Sequence, residues 1–133
     1  MTAIILASSS PYRKELLERL QIKFETISPN IDESKLSNEN GYDAAKRLAK
    51  QKAISISKEH PNTYIIGCDQ TAIFKKKHIE KSRNILSATN QLKVLSGNKV
   101  NFYSALCLYH AKKNICLEDC LLYTSDAADD YSV

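Results

Sequence analysis

The sequence predicts an α/β fold, because apolar segments typical of strands alternate along the chain with segments whose apolar residues repeat at helical spacing. The 133 residues, 43% of them hydrophobic and 26% charged, suit one globular domain with a modest core. We expect strands at 3–6, 22–28, 63–74 and 99–110, and helices beginning at Pro11 and covering 42–58 and 84–95.

The first strand-to-helix connection combines three serines, a proline and two adjacent cations. Ser10 is placed to cap the helix, and Pro11 suits the first helical position, where its missing N–H costs nothing. Free backbone N–H groups, serine hydroxyls and Arg13 would converge at the positive end of the helix dipole, which suits a phosphate. The alternative is an ordinary capped helix with solvated Arg13 and Lys14. The apolar face of this helix is expected to consist of Leu16, Leu17 and Leu20.

Two charged residues are predicted at positions that are otherwise apolar. Lys52 falls on the same face of the second helix as Ala45, Leu48, Ala49 and Ile56. Its amine either reaches water along that surface or has a function in a site. Asp69 interrupts the apolar strand, where a carboxylate is costly unless it binds a metal, a cation or a ligand. The alternative for Asp69 is a turn at the end of a strand, in which it caps local N–H groups.

The net charge of +4 hides an asymmetry along the chain. Residues 121–133 contain three aspartates and no Lys or Arg, which leaves +7 on residues 1–120. A surplus of this size favours an anionic partner, either a nucleotide or a nucleic acid. The basic segment 75–81 is expected to be a solvated surface loop.

The four cysteines form no C-x-x-C pair. Cys107 and His110 form a C-x-x-H, which raises the hypothesis of a zinc site. Residues three apart on a strand face opposite sides, however, so reduced and partly buried thiols are the simpler interpretation.

No apolar run has the length of a membrane span, and the N-terminus lacks the pattern of a signal peptide. We therefore expect a cytoplasmic location and no membrane partner. The sequence leaves a homodimer open.

Several short motifs carry more information through their order than any of them does alone. They are S-S-S-P-Y-R at 8–13, D-E at 32–33, R-L-A-K-Q-K-A at 47–53, G-C-D-Q at 67–70 and L-S-G-N-K-V-N-F-Y at 95–103. In this order and spacing, residues 1–117 resemble the Maf family of nucleoside triphosphate pyrophosphatases. Gln70 after Asp69, together with the aromatic Tyr12, resembles the branch of the family that acts on 7-methyl-GTP.

The resemblance implies an elongated mixed β-sheet flanked by helices, with a cleft between two lobes of which the second is incomplete in this sequence. It also implies hydrolysis of the bond between the α- and β-phosphates of a small-molecule nucleotide, yielding a monophosphate and pyrophosphate. The cofactor that it implies is a divalent metal cation, Mg²⁺ or Mn²⁺.

The resemblance also implies roles for individual residues. Asp69 would orient or deprotonate the attacking water, and Glu33 and Asp69 would hold the metal. Tyr12 and Gln70 would determine which base is accepted. The phosphate oxygens would be bound by Ser8, Arg13, Lys14, Lys52 and Lys81.

The C-terminal segment L-L-Y-T-S-D-A-A-D-D-Y-S-V at 121–133 departs from the family pattern. Its acidic, low-complexity composition is consistent with a disordered tail or with foreign sequence joined to a broken reading frame. With Cys120 in front, it looks like the translation of a transposon-type sequencing adapter. We therefore expect a nucleotide pyrophosphatase domain at 1–119, truncated there, and a non-native tail at 120–133.

Two other functions remain as alternatives. One is the related branch of the family that hydrolyses dTTP and UTP. The other is a basic fragment that binds nucleic acid without catalysis, which the run Lys75–Lys77 and the positive charge of residues 1–120 would support. Aromatic residues do not alternate with these cations as stacking platforms require, so nucleic acid is not the favoured partner.

Overall fold

A mixed β-sheet forms the centre of the protein in the computed structural model, which describes residues 4–36, 38–79 and 99–126. Within these ranges the elements are, in order, β1 (Ile4–Ala7), α1 (Pro11–Glu18), β2 (Glu25–Ile27), α2 (Gly41–Ser57), β3 (Tyr64–Phe74), β4 (Lys77–His78), β5 (Lys99–His110) and β6 (Ile115–Asp126). The four strands expected from the sequence and the helix expected at 42–58 are confirmed. The helix expected at 84–95 lies outside the described residues.

The strands are ordered β2-β1-β3-β5-β6, and β4 pairs with β3 beside this path. β1 is parallel to both β2 and β3, whereas β3, β5 and β6 form antiparallel pairs. The predicted α/β class with a mixed sheet is therefore confirmed. The three parallel strands share a direction, so their carboxyl ends lie at the same edge of the sheet.

Helix α2 covers one face of this sheet and makes most of the core with it. The side chain of Asn40, the residue before α2, caps the helix by accepting a hydrogen bond from the backbone N–H of Asp43 at 2.8 Å. The apolar face predicted from helical spacing is buried against β1, β3 and β5. The resulting core cluster contains Ile5, Ala7, Ala45, Ala49, Ala53, Ile56, Ile65, Ala105 and Cys107.

Gly67 lets α2 approach β3 closely. A Cβ atom at this position would collide with the backbone oxygen of Ala49 and would lie 3.0 Å from the nitrogen of Ala53. The helix backbone thus rests directly on the strand at Gly67. This contact fixes the distance between the sheet and the turn of α2 that carries Lys52.

Helix α1 begins where the sequence predicts, but its apolar face is not buried. The hydroxyl of Ser10 accepts a hydrogen bond from the backbone N–H of Arg13 at 3.3 Å, and Pro11 is the first helical residue. No residue of α1 is buried, and Leu20, just beyond its end, is 64% exposed. The apolar face expected from helical spacing is therefore not buried, since periodicity indicates an apolar face but not what covers it.

The basic segment after β3 starts with a tight hairpin turn. Lys75 and Lys76 connect β3 to β4 and have φ angles of 50° and 65°. Positive φ at both central residues matches the right-handed twist of the flanking strands, but it is costly for residues other than glycine or asparagine. These two lysines are exposed, as expected for a solvated loop. Lys81, farther along this segment, lies outside the described residues.

The last described strand continues into the segment of unusual composition. β6 pairs with β5 over its whole length, from His110↔Ile115 to Lys99↔Asp126. Residues 121–126 are therefore in regular structure, although their pattern is not that of a typical strand. Leu121 and Leu122 are 66% and 57% exposed. The domain boundary expected at 119 stays a prediction.

None of the described helices is both long and apolar enough to cross a membrane.

All four cysteines are free. Cys107 is buried in β5, and burial, followed by the neighbouring Cys116, raises the pKa of its thiol to about 12.

We expect Gly67→Ala to destabilise the protein, because the added methyl group forces α2 away from β3. Overpacking of this kind typically costs about 1–3 kcal/mol. The measurement is the free energy of unfolding from urea denaturation, and the control is Lys50→Ala, an exposed substitution on α2 that should change it by no more than about 0.5 kcal/mol. An unchanged free energy of unfolding in Gly67→Ala would contradict the close approach.

Candidate active site

The candidate site lies where β3 runs past the end of β1. The last residue pair between these strands is Ala7↔Gly67, so Cys68 and Asp69 extend beyond the carboxyl end of β1. Ser8 begins the turn to α1 at the same place. Outside the carboxyl ends of parallel strands is where open α/β sheets bind their ligands.

A buried ion pair joins α2 to β3 at this point. The Lys52 Nζ atom lies 2.9 Å from Asp69 Oδ1, and each side chain is 8% exposed. Lys52 also donates to the backbone carbonyl of Cys68 at 3.3 Å. The alternative that the Lys52 amine reaches water is therefore wrong. The alternative of a strand-end turn at Asp69 is also wrong, because Asp69 pairs with Ala105 in the middle of β3.

Glu33 brings a second carboxylate to the same ammonium group. Its Oε1 atom lies 3.1 Å from Lys52 Nζ, while its side chain remains 58% exposed. The other carboxylate oxygen of Asp69, Oδ2, is buried and has no hydrogen-bond partner in the described part of the chain. The site thus combines one ammonium, one accessible carboxylate and one buried oxygen with unused acceptor capacity.

The serine turn lies next to this ion pair and is organised by its own side chains. The Ser8 hydroxyl accepts a hydrogen bond from the backbone N–H of Ser10 at 3.1 Å. Ser8 is buried and Arg13 is half-buried, whereas Lys14 is exposed. Because Pro11 has no N–H and the Arg13 amide donates to Ser10, the Tyr12 amide and the Arg13 guanidinium are the donors at the beginning of the helix.

The Cys68 thiol shows that the turn and the ion pair share one electrostatic environment. Burial raises the pKa of this thiol, and the negative charge of Asp69 adds to the rise. The positive charges of Arg13 and Lys52 oppose it. Cations from α1 and α2 therefore act on the same point of β3.

Sequence reasoning missed an arginine–glutamate pair, Arg47 and Glu39, beside the residue that follows Glu33. Arg47 on α2 contacts both carboxylate oxygens of Glu39, with Nε–Oε2 at 2.5 Å and Nη2–Oε1 at 2.8 Å. Hydrogen bonds from Arg47 hold the pKa of Glu39 below its ordinary value, and the same contact raises the pKa of Arg47. Arg47 stood in the R-L-A-K-Q-K-A motif, but nothing in the sequence indicated its partner.

Of the two residues expected to choose the base, Tyr12 lies at the serine turn and Gln70 lies on β3 beside Asp69. Tyr12 is in the first turn of α1 and is 63% exposed. Gln70 follows Asp69 on β3, so its side chain points to the opposite face of the sheet from α2. The Gln70 amide donates to the hydroxyl of Tyr123 on β6 at 2.6 Å.

Among the described residues no cluster of three or more His, Cys, Asp or Glu side chains could hold a metal ion. Glu33 and Asp69 are brought together through Lys52, and Ser8, Arg13 and Lys14 lie at the adjoining turn. Most of the expected site residues are therefore neighbours in the structure.

The fold is a mixed α/β sheet with its polar cluster at the carboxyl ends of parallel strands. Solved structures with the same architecture include the protein VC0702 from Vibrio cholerae, at a TM-score of 0.50 and 15% identity, covering 92% of this chain and 64% of that one. The Ham1 protein of Staphylococcus aureus matches with a TM-score of 0.56 and 10% identity, over 92% of this chain and 70% of that one.

The sequence model of the family described as "Maf-like protein" matches residues 3–127, and the chain belongs to this family. Proteins named 7-methyl-GTP pyrophosphatase are similar to it. The one from Methylobacillus flagellatus is 45% identical over 124 residues, which is 93% of this chain and 65% of the relative. The one from Colwellia psychrerythraea is 40% identical over 114 residues, or 86% and 57%. The chain thus spans rather more than half the length of these relatives.

We expect the two partners of the buried ion pair to differ in their effect on stability. Lys52→Met leaves Asp69 buried without a cation, and removal of one member of such a pair costs about 3–5 kcal/mol. Asp69→Asn should cost less, because Lys52 keeps its contacts with Glu33 and with the Cys68 carbonyl.

Urea denaturation at pH 7 measures both free energies of unfolding. The control is Arg19→Gln, which removes a cation from the exposed pair with Glu15 and should change stability by no more than about 0.5 kcal/mol. Equal losses for Lys52→Met and Asp69→Asn would show that Glu33 does not support Lys52.

Proposed function

We propose that this site hydrolyses the α–β phosphoanhydride bond of a nucleoside triphosphate, with 7-methyl-GTP as the substrate and a divalent cation as the cofactor. The observation that carries the proposal is the buried Lys52–Asp69 pair, in which Asp69 keeps one carboxylate oxygen without a partner among the described residues. A serine turn at a helix N-terminus adjoins this pair. The names of the similar proteins support the same activity.

The phosphate groups would bind at the turn that precedes α1. The positive end of a helix dipole attracts anions, the Tyr12 amide lies there, and the Ser10 cap keeps this terminus in a fixed place. Ser8 and the Arg13 guanidinium would supply further donors, with Arg13 able to contact two phosphate oxygens at once. Lys14 is exposed at the same turn and would add a point charge, as would Lys81 from the basic segment.

A divalent cation fits the oxygen atoms that the site offers. Magnesium ions in phosphoryl-transfer enzymes are typically held by one or two carboxylates together with substrate phosphates and water, so a larger protein cluster is not required. Asp69 Oδ2 is a buried acceptor without a partner among the described residues, and the Glu33 carboxylate is accessible. When bound there, the cation would neutralise phosphate charge and polarise the phosphorus atom. Glu33 and Asp69 are the residues that would hold it.

Asp69 would act on the attacking water. The water oxygen forms a bond to the α-phosphorus, and its proton passes to the Asp69 carboxylate. The bond from the α-phosphorus to the bridging oxygen breaks, so the electron pair leaves with pyrophosphate and the nucleoside monophosphate remains. Lys52 holds Asp69 Oδ1 through a 2.9 Å contact, which fixes the direction of the carboxylate while negative charge develops on the phosphates.

Tyr12 and Gln70 would account for the choice of base. The exposed ring of Tyr12 can stack on a methylated, cationic guanine, since a cation over an aromatic face is attracted to it. The amide nitrogen of Gln70 donates to Tyr123, so Gln70 would hydrogen-bond to a base or ribose edge through its carbonyl oxygen or after exchanging that partner. The dTTP and UTP branch of the family is the alternative, and a panel of substrates separates the two.

We expect Asp69→Asn to lower kcat about 10²–10⁴-fold, because the variant lacks the carboxylate that accepts the proton. The assay follows 7-methyl-GMP and pyrophosphate by chromatography after incubation with 7-methyl-GTP and Mg²⁺ or Mn²⁺. Asp43→Asn serves as the matched control, since Asp43 is an exposed carboxylate in the first turn of α2. A near-normal rate in Asp69→Asn would exclude this role, and wild-type protein without turnover on any triphosphate would overturn the proposed function.

The double variant Tyr12→Arg with Gln70→Thr should shift the preference from 7-methyl-GTP toward dTTP and UTP. It removes the aromatic platform and the amide together. Competition assays with equimolar 7-methyl-GTP and UTP give the ratio of kcat/KM values directly. If the ranking of substrates is unchanged while total activity is retained, these two residues do not select the base.

A further inference from the structure

Arg47 connects helix α2 to the segment that carries Glu33. Its guanidinium binds the Glu39 carboxylate through two contacts, at 2.5 and 2.8 Å, in a forked arrangement that adds geometric specificity. The Glu39 side chain is 7% exposed and that of Arg47 is 23% exposed. A pair this far from water is screened much less than a surface pair.

The same guanidinium also holds the chain close to Glu33. Arg47 Nη2 donates to the backbone carbonyl of Ser34 at 3.0 Å, while Nη1 donates to Gln51 on the next turn of α2 at 3.2 Å. A second contact fixes the far end of the segment, because the His78 ring nitrogen Nε2 lies 2.9 Å from the Glu39 carbonyl oxygen. Arg47 is thus bonded to the segment at two separate points, Ser34 and Glu39.

Both backbone polar groups of Ser34, the residue after Glu33, are hydrogen-bonded. Asp32 Oδ1 accepts hydrogen bonds from the backbone N–H of Ser34 at 2.9 Å and from its hydroxyl at 2.6 Å. The Ser34 carbonyl accepts a hydrogen bond from Arg47. The Glu33 side chain itself is more than half exposed and contacts only Lys52 among the ion pairs of the described chain. Its position at the site therefore depends on the backbone around it.

We propose that Arg47 is a positioning residue, which with Glu39 fixes residues 32–36 so that the Glu33 carboxylate stays beside Lys52 and Asp69. Arg47 and Lys52 stand on the same helix, so α2 sets the separation between the ammonium group and the segment that brings Glu33 to it. The consequence for metal binding rests on the proposed function, whereas the consequence for the segment does not.

A lysine at position 47 cannot replace this arrangement. It keeps the charge but cannot contact both oxygens of Glu39 and the Ser34 carbonyl in one plane. Removing the guanidinium also leaves Glu39 nearly buried without a cation, which favours movement of the segment toward water. Both effects would move Glu33 without altering its chemistry.

The test measures Mn²⁺ affinity by electron paramagnetic resonance in the absence of nucleotide, together with peptide-level hydrogen exchange. The variants are Arg47→Gln, Arg47→Lys, Glu39→Gln and Glu33→Gln, with Arg19→Gln as the control for loss of an arginine from an ion pair. Loss of a residue that orients a metal ligand typically weakens metal binding about 10–100-fold. We expect a rise of this size in the Mn²⁺ Kd for the two Arg47 variants and Glu39→Gln, none for Arg19→Gln, and faster exchange at 31–36 but not in β3 or β5.

The outcomes separate the positioning role from the proposed metal site. If Glu33→Gln weakens Mn²⁺ binding but the Arg47 variants bind it as wild type does, the positioning role is overturned and the metal site stands. If Mn²⁺ binds none of the proteins, the cation does not bind without substrate phosphates, and hydrogen exchange decides the role of Arg47: faster exchange at 31–36 alone in Arg47→Gln supports it, and unchanged exchange there overturns it. Faster exchange spread equally over β3 and β5 would show general destabilisation and would also overturn it.

Discussion

The buried contact between Lys52 and Asp69 is the interaction on which the candidate site depends. Burying two charges is costly, and only good geometry and additional hydrogen bonds compensate for it. Here the geometry comes from Gly67, which allows α2 to lie directly on β3 two residues before Asp69. The close packing of α2 on β3 is therefore what brings Lys52 within reach of Asp69. A bulkier residue at position 67 would disturb both.

Helix α2 also positions the residues around the site. One face forms the core with the sheet, Lys52 leaves that face toward Asp69, and Arg47 leaves the helix toward Ser34 and Glu39. Three different contacts therefore depend on one rigid element. Because the helix is rigid, it keeps Lys52 and Arg47 at a fixed separation, and a site assembled from separate parts of the chain requires such fixed positions.

Much of this arrangement was predictable from local pattern, and the remainder depends on contacts between distant residues. Strand β5 and the Ser10 cap follow from alternation and capping preferences, which act over a few residues. Lys52 and Asp69 stood out individually because each is charged at an apolar position, but their pairing is a contact across 17 residues. The Arg47–Glu39 pair carried no such signal, since both residue types are ordinary on a polar helix face or loop. The exposure of α1 was equally hidden, because the partner of an amphipathic face is not encoded in its period.

Helix α1 is capped at its start and has no buried residue, so among the described residues its packing against the sheet contributes little to keeping it formed. Isolated helices of its length are marginal in water. An anion at the Ser8–Arg13 turn would bind the formed helix and not the unfolded one, so by linkage it would also order the helix. The stability of α1 would then rise with the concentration of the anion, and part of the free energy of binding would be spent in forming the helix. Anion affinity at this turn and the helix content of α1 would thus be coupled, so that a change in either would change the other.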